Sequence, residues 1–311
     1  MHTEAATKLK HLSEFTIAHP MYVEAFRILH QATEARSLGR EDASAILFGE
    51  SGTGKTTLCN DLMRDYPPPY KSKTPCHSDW IMPVVYCRVP SEATVKALTN
   101  RLLETFQVFL GRQSQEALEY HLFTLLKTCQ TKLLILDELP HLLRGLTPTA
   151  IRTAADWLKN LIDAFEGLVL IAGEPDCEKI IDIRAALSDR FPYRARLKPF
   201  TISTEEDLND FNRLIRAFAS EIQNNMGFTA MPHLTGKKEI LALFALTNGN
   251  LRRLSIILWE SCRMALIRND QTLTVSDFSR TASKINFQGR LTSADPFNLS
   301  LSALEKIVYK K

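Results

Sequence analysis

Over about the first 200 residues, short runs of unbroken apolar side chains alternate with stretches whose apolar positions recur every three or four residues. The runs at 45–48, 133–136 and 168–172 are short for helices and lack the every-other-residue polarity of a strand with one wet face. They read as strands buried on both faces. A second strand is expected at 82–89 and a short fifth one at 195–198. Between the runs the spacing predicts helices at 5–37, interrupted at His19-Pro20, then after residue 54, near 91–110 and 115–130, and at 148–165. Tyr66-Pro67-Pro68-Pro69-Tyr70 ends one of these helices and opens a loop reaching about Asp79. Strands interleaved with helices imply a parallel sheet covered on both faces, with ligands at the carboxyl ends of its strands.

From about Thr201 the pattern becomes helical throughout, as in Phe211, Leu214, Ile215 and Phe218, and later Leu251, Leu254, Ile257 and Leu258. Four segments are therefore expected: an N-terminal helical extension (1–40), a nucleotide-binding α/β domain (41–200), a small helical lid domain (201–285) and a tail (286–311). The tail carries isolated apolar anchors, Leu291, Phe297, Leu299 and Ile307-Val308-Tyr309, among breakers. Such a segment can order on a partner or pack on its own lid.

The first run is followed by Gly49-Glu50-Ser51-Gly52-Thr53-Gly54-Lys55-Thr56, which matches GxxxxGK[ST] between a strand and a helix. Glycines let the backbone curl so that successive N–H groups face phosphate oxygens, and the following helix adds its positive end. Lys55 is expected to reach the β- and γ-phosphates, and Thr56 to offer its hydroxyl to Mg²⁺. Thr57 continues the helix and closes the candidate nucleotide-binding set, 49–57. About 80 residues on, Leu133-Leu134-Ile135-Leu136 ends in Asp137-Glu138. An apolar strand ending in acids is a weak signal alone, but a strong one behind a phosphate loop. Asp137 is expected to hold Mg²⁺ through water, and Glu138 to take a proton from the water attacking the γ-phosphate.

Composition narrows the class. With 311 residues and 45% hydrophobic content the chain can fill a core plus a smaller satellite. A net charge of +3 is too mild to prove nucleic-acid binding, so any DNA contact must come from local patches. No apolar run reaches the length of a membrane span and the first residues lack a signal pattern, so a cytoplasmic protein without membrane contact is expected. The six cysteines form no CxxC pair and read as reduced thiols, and Cys76-His77 with Cys87 is a poor metal-ligand set.

Two arginine clusters set this chain apart from simple kinases and small GTPases. Leu187-Ser188-Asp189-Arg190-Phe191 resembles the AAA+ ATPase segment that presents an arginine finger to a neighbouring subunit's γ-phosphate; Arg184, Arg194 and Arg196 compete for that role. Gly249-Asn250-Leu251-Arg252-Arg253 resembles the second AAA+ sensor, where the pattern GxxR selects Arg252 as a nucleotide contact. Both roles set a permanently charged guanidinium against phosphate.

Four stretches carry a narrower resemblance, to the TniB/TnsC family of AAA+ transposition regulators. They are Ile17-Ala18-His19-Pro20; the segment from Tyr86-Cys87-Arg88-Val89-Pro90 to Leu98; the segment from Leu136-Asp137-Glu138-Leu139-Pro140 to Gly145; and that from Ile171-Ala172-Gly173-Glu174-Pro175 to Phe191. The resemblance covers about residues 15–200 and weakens through the lid. It implies a five-stranded AAA+ sheet with a helical lid, and an ATPase using ATP and Mg²⁺. It further implies a homo-oligomeric ring or filament on double-stranded DNA, bound largely without sequence preference. That assembly would link a TniQ-like target-selection protein to the transposase and come apart on hydrolysis. In this family the channel is lined by elements after the second strand, which makes Lys96 and Arg101 the candidate DNA contacts, through phosphates. One departure stands out: relatives usually follow the strand-end glycine with Thr as a first γ-phosphate sensor, whereas Gly173 is followed by Glu174. Two alternatives stay open, another AAA+ DNA-processing ATPase and a nucleotide-gated scaffold with little hydrolysis.

Overall fold

The computed structural model of the protein describes residues 2–73, 78–90, 94–139, 148–182, 185–269 and 271–309. The chain forms two compact units, Met21–Leu197 and Met1–Pro20 with Lys198–Lys311. Its first helices are α1 (His2–Glu14) and α2 (Pro20–Ser37). α1 belongs to the C-terminal unit, whereas nearly all of α2 belongs to the other.

In the Met21–Leu197 unit, β1 (Ala45–Gly49) leads into α3 (Lys55–Met63), and a hairpin of β2 (Tyr70–Lys73) and β3 (Ser78–Ile81) precedes β4 (Val84–Arg88). Then follow α4 (Val95–Thr105), α5 (Gln115–Thr128), β5 (Leu133–Asp137), α6 (Pro148–Ala164) and β6 (Leu168–Gly173). The short α7 (Asp176–Ile181) and α8 (Ala185–Ser188) lead to β7 (Tyr193–Leu197). Five strands make one parallel sheet in the order β4-β5-β6-β1-β7. Every residue of β1, β5 and β6 is buried, because these three central strands are covered on both faces, and burial alternates only in the edge strands β4 and β7.

The strand period of two divides the core into two layers. Ile46, Phe48, Leu134, Leu136, Val169 and Ile171 pack with the apolar stripes of α4, α5 and α6. Ala45, Leu47, Leu133, Ile135, Leu168 and Leu170 pack with Tyr22, Ala25 and Leu29 of α2 and with Leu58, Cys59 and Leu62 of α3.

Several boundaries differ from the expected ones for local reasons. The expected loop from Tyr66 to Asp79 holds β2 and the start of β3, which carry no run of apolar residues. α4 ends at Thr105 rather than near 110: Gln107 takes the left-handed region at φ 61°, and the Val108 N–H returns to the Leu103 carbonyl at 3.1 Å. Val108 and Leu110, whose spacing lengthens the predicted helix, pack partly buried against the core after the turn. The last strand starts two residues before the expected 195, at Tyr193, where the edge position tolerates the polar Arg194 and Arg196.

The second unit is helical: α1, α9 (Glu205–Asn225), α10 (Lys237–Thr247), α11 (Leu251–Arg268), α12 (Val275–Lys284), a 3₁₀ turn at Pro296–Asn298 and α13 (Leu301–Tyr309). A capping box of Thr204 and Asp207 starts α9, which buries Phe211, Leu214, Ile215, Phe218 and Ile222. Trp259 of α11 donates its indole N–H to the Leu9 carbonyl at 3.1 Å, which fixes α1 to this unit. The tail packs on the same helices: Phe297 lies 5.6 Å from Phe278 between ring centres, Leu304 is fully buried, and Lys237 pairs with Glu305 at 2.6 Å.

Candidate nucleotide-binding site

β1 delivers the chain to Gly49, where a Cβ would stand 2.6 Å from both the Leu197 carbonyl oxygen and Thr53 Oγ1, so no larger residue fits. Gly52 and Gly54 adopt φ of 82° and 100°, the left-handed region that L side chains disfavour. Thr53 Oγ1 donates to the Glu50 carbonyl at 2.8 Å and pins the loop. Gly54 is the N-cap of α3 and offers no side-chain cap, which leaves the first-turn amides for an anion. Lys55 is buried, with its ammonium donating to the carbonyls of Gly49 and Glu50 at 2.7 and 3.0 Å. A buried cation, uncapped amides and two left-handed glycines on one loop make a cradle for a polyphosphate.

The acidic strand lies two strands away. β5 ends at Asp137, only 2% exposed, and both carboxylate oxygens accept hydrogen bonds. Thr56 Oγ1 and the Tyr86 hydroxyl donate to Oδ2 at 3.2 and 2.7 Å, and the Glu138 N–H donates to Oδ1 at 2.9 Å. Thr56 and Asp137, 81 positions apart, thus bring together two hard oxygen donors of the kind that suits Mg²⁺. Glu138 has φ 61°, a sharp bend in which the chain leaves the strand, and Arg88 lies 3.8 Å from its carboxylate. That approach follows from register: Arg88 is the β4 partner of Asp137.

Burial, and then the bond to Asp137, push the Tyr86 phenol well above its ordinary range, so it stays a proton donor. Behind the loop, burial and the nearby Asp137 push the Cys59 thiol up to about 12, despite the opposing effect of Lys55. Burial likewise raises the Cys87 thiol to about 11. Cys59, Cys87, Cys129 and Cys262 are all buried free thiols. Sequence reasoning gave Tyr86 and Arg88 no role. The available signal was positional, since a parallel neighbour of an acidic strand must bring its own carboxyl end to the same edge.

The arginines divide by partner. Arg190 sits after α8 with its guanidinium on Asp163, donating from Nε and Nη2 at 2.7 and 3.0 Å. Arg194 donates to Asp182 at 2.8 and 3.2 Å and to Ser188 at 2.8 Å. Arg196 donates to Glu178 at 2.6 Å and lies 5.6 Å from the Phe48 ring centre. Arg184 lies outside the described residues, as do Cys76-His77, Ser91–Ala93 and the stretch 140–147. Glu174 is partly buried just past the end of β6.

Arg252 belongs to the helical unit, exposed on the first turn of α11. Gly249 before it has φ 69°, and a Cβ there would come within 1.8 Å of the Phe200 carbonyl oxygen. Asn250 caps the helix by accepting the Arg253 N–H at 3.2 Å. Arg253 turns inward, toward the Thr247 carbonyl at 3.4 Å and the Phe287 ring at 5.9 Å. Lys96 and Arg101 are both exposed on α4, the first donating to the Gln113 carbonyl at 2.6 Å and the second pairing with Glu104 at 2.8 Å. Five helical positions rotate by about 140°, so the fold does not gather them on one face.

The family model TniB, described as Bacterial TniB protein, matches residues 9–201. Among solved structures, Cdc6p from Pyrobaculum aerophilum is similar with a TM-score of 0.62 at 15% identity, over 88% of this chain and 71% of that one. The Aeropyrum pernix Orc1 protein, solved in complex with DNA, gives 0.61 at 13% identity, over 96% of this chain and 84% of that one. Drosophila ORC bound to DNA gives 0.53 at 13%, over 93% and 67%. At these identities the likeness is one of fold, that of the AAA+ ATPases. No curated protein matches the sequence.

Proposed function

The chain belongs to the TniB family, and we propose that it is an ATP-dependent regulator of DNA transposition, working in the cytoplasm, that assembles on double-stranded DNA. One observation carries the ATPase part of this reading: Lys55, Thr56, Asp137 and Glu138 converge at the carboxyl ends of β1 and β5. In this reading the loop amides and Lys55 bind the phosphates of ATP. Thr56 and, through water, Asp137 would hold Mg²⁺, which would supply neutralisation of the phosphate charge. Tyr86 orients the Asp137 carboxylate, and Glu138 takes the proton of the attacking water. Arg190 reaches the γ-phosphate of a neighbouring subunit, so ATP binding and oligomerisation become one linked event. Arg252 reaches the nucleotide of its own chain.

The assembled state, a ring or filament of identical subunits, would hold DNA by phosphate contacts that include Lys96 and Arg101. It would join a TniQ-like target-selection protein to the transposase and come apart on hydrolysis. A second reading, a nucleotide-gated scaffold with little turnover, draws on Glu174 in the sensor position and on the Arg88 guanidinium beside Glu138.

The test is co-sedimentation and negative-stain imaging with a random-sequence duplex, comparing no nucleotide, ADP and a non-hydrolysable ATP analogue across a salt series. Analogue-dependent assemblies that weaken steeply with salt are expected. Failure to bind DNA in every state would sink the DNA-regulator reading. Steady-state phosphate release, stimulated by DNA, separates the regulator from the scaffold.

A further inference from the structure

Arg190 is held by an acid 27 positions earlier in the chain. Its Nε donates to Asp163 Oδ1 at 2.7 Å, its Nη2 to Oδ2 at 3.0 Å, and its Nη1 to the Ala186 carbonyl at 2.6 Å. The backbone at this position is anchored as well: the Arg190 N–H donates to the Leu187 carbonyl, and the Arg190 carbonyl accepts the Ser44 N–H, both at 3.1 Å. A guanidinium carries about five N–H donors, so these bonds fix its plane and still leave donors for a further anion.

Asp163 stands where its own helix does not favour it. It lies in the last turn of the 17-residue α6, which holds no basic residue there to balance it, and the negative end of a helix dipole repels a carboxylate. Pairing with Arg190 offsets that repulsion. We propose that Asp163 is a positioning residue that aims the Arg190 guanidinium for delivery to the γ-phosphate held by a neighbouring subunit. The inference rests on the finger role assigned to Arg190 under Proposed function.

The opposite role, a latch that keeps Arg190 away from the nucleotide, would move the rate the other way. The side chains of Asp163 and Arg190 are 46% and 24% exposed, and an ion pair this accessible to water shifts populations by no more than about fivefold. A delivered arginine finger accelerates phosphoryl transfer by about 10³- to 10⁵-fold, and misplacing a catalytic group by about 1 Å costs about 100-fold. Losing Asp163 therefore slows hydrolysis by up to about fivefold if it aims Arg190 and speeds it if it restrains Arg190.

A mixing experiment tests this. R190A chains keep Glu138 but lack the finger, and E138Q chains keep the finger but lack the base. Each alone is expected to hydrolyse ATP poorly on DNA, and the mixture to recover activity at mixed interfaces. D163A added to the E138Q chain should then lower the recovered kcat about three- to fivefold with KM for ATP unchanged. The same substitution on the R190A chain should change nothing, and D163E on the E138Q chain should restore part of the loss. D163E also keeps the test open should D163A fail to fold, which thermal melting of each chain reveals. Full recovery with D163A on the E138Q chain, equal loss on either chain, or a faster rate would each overturn the proposal. Wild-type hydrolysis by R190A alone would remove the finger role itself, an outcome distinct from failure at Asp163.

Discussion

Tyr86→Phe removes one hydroxyl and little else, which makes it a sharp probe of the Asp137 carboxylate. In the folded protein that hydroxyl donates to Oδ2 at 2.7 Å, while Thr56 donates to the same oxygen at 3.2 Å and the Glu138 amide holds Oδ1 at 2.9 Å. A hydrogen bond to an ionised group contributes about 1.5–3 kcal/mol. Tyr86 is half-buried and Thr56 remains on the oxygen, so the lower part of that range applies, about 1.5–2 kcal/mol. In a unit of this size that corresponds to a melting-temperature drop of about 3–8 °C. The pH dependence has a definite sign. The folded phenol titrates above its unfolded value, so the wild-type advantage is full below about pH 10 and shrinks as the pH rises further, because the unfolded tyrosine ionises first. A functional effect accompanies it: an acid freed of one of its orienting donors should require about tenfold more Mg²⁺ for half-maximal ATP hydrolysis. Differential scanning calorimetry of both proteins from pH 7 to 11, with a Mg²⁺ titration of ATPase activity, covers both effects. An unchanged melting temperature together with an unchanged Mg²⁺ requirement would refute the account of how Asp137 is held.

Glu138→Gln is expected to trap ATP-bound assemblies on DNA and Lys55→Ala to abolish them; normal disassembly by the first variant, followed by light scattering after ATP addition, would remove Glu138 as the base. Gly249→Ala places a methyl within 1.8 Å of the Phe200 carbonyl oxygen at a φ of 69°, and should destabilise the helical unit by about 3 kcal/mol or more, read by urea unfolding. Asp277 is fully buried in the capping box of α12 and is paired with Arg268, with Thr274 donating from its N–H and hydroxyl at 2.8 Å each. Burial pushes its carboxyl up, but Arg268 and Thr274 outweigh burial and the net shift is downward. Its contribution should thus be complete above about pH 4 and fade as the pH falls further, whereas Asp277→Ala, costing about 2–4 kcal/mol at neutral pH, should lack that acid limb in urea titrations.

How much of this protein can be read without coordinates follows from the range of each interaction. The phosphate loop is legible because its chemistry is contiguous: Gly52, Gly54, Lys55 and Thr56 act through the backbone they share. The buried strands are legible because burial on both faces admits only apolar side chains, as throughout β1, β5 and β6. Gly249 of the GxxR pattern stands where a backbone contact permits no other residue. The β2–β3 pair escapes notice because Tyr70–Lys73 and Ser78-Asp79 hold no run of apolar residues. What only the tertiary structure decided are pairings between residues distant in sequence. Tyr86 meets Asp137 and Arg88 meets Glu138 because parallel register aligns the ends of β4 and β5. Asp163 meets Arg190 because the end of α6 comes beside the turn after α8, and α1 joins α11 across 250 positions through Leu9 and Trp259. Local backbone geometry and solvent exclusion act on each residue separately and leave their marks along the chain, whereas a hydrogen bond between distant side chains depends on where the packed core has carried both.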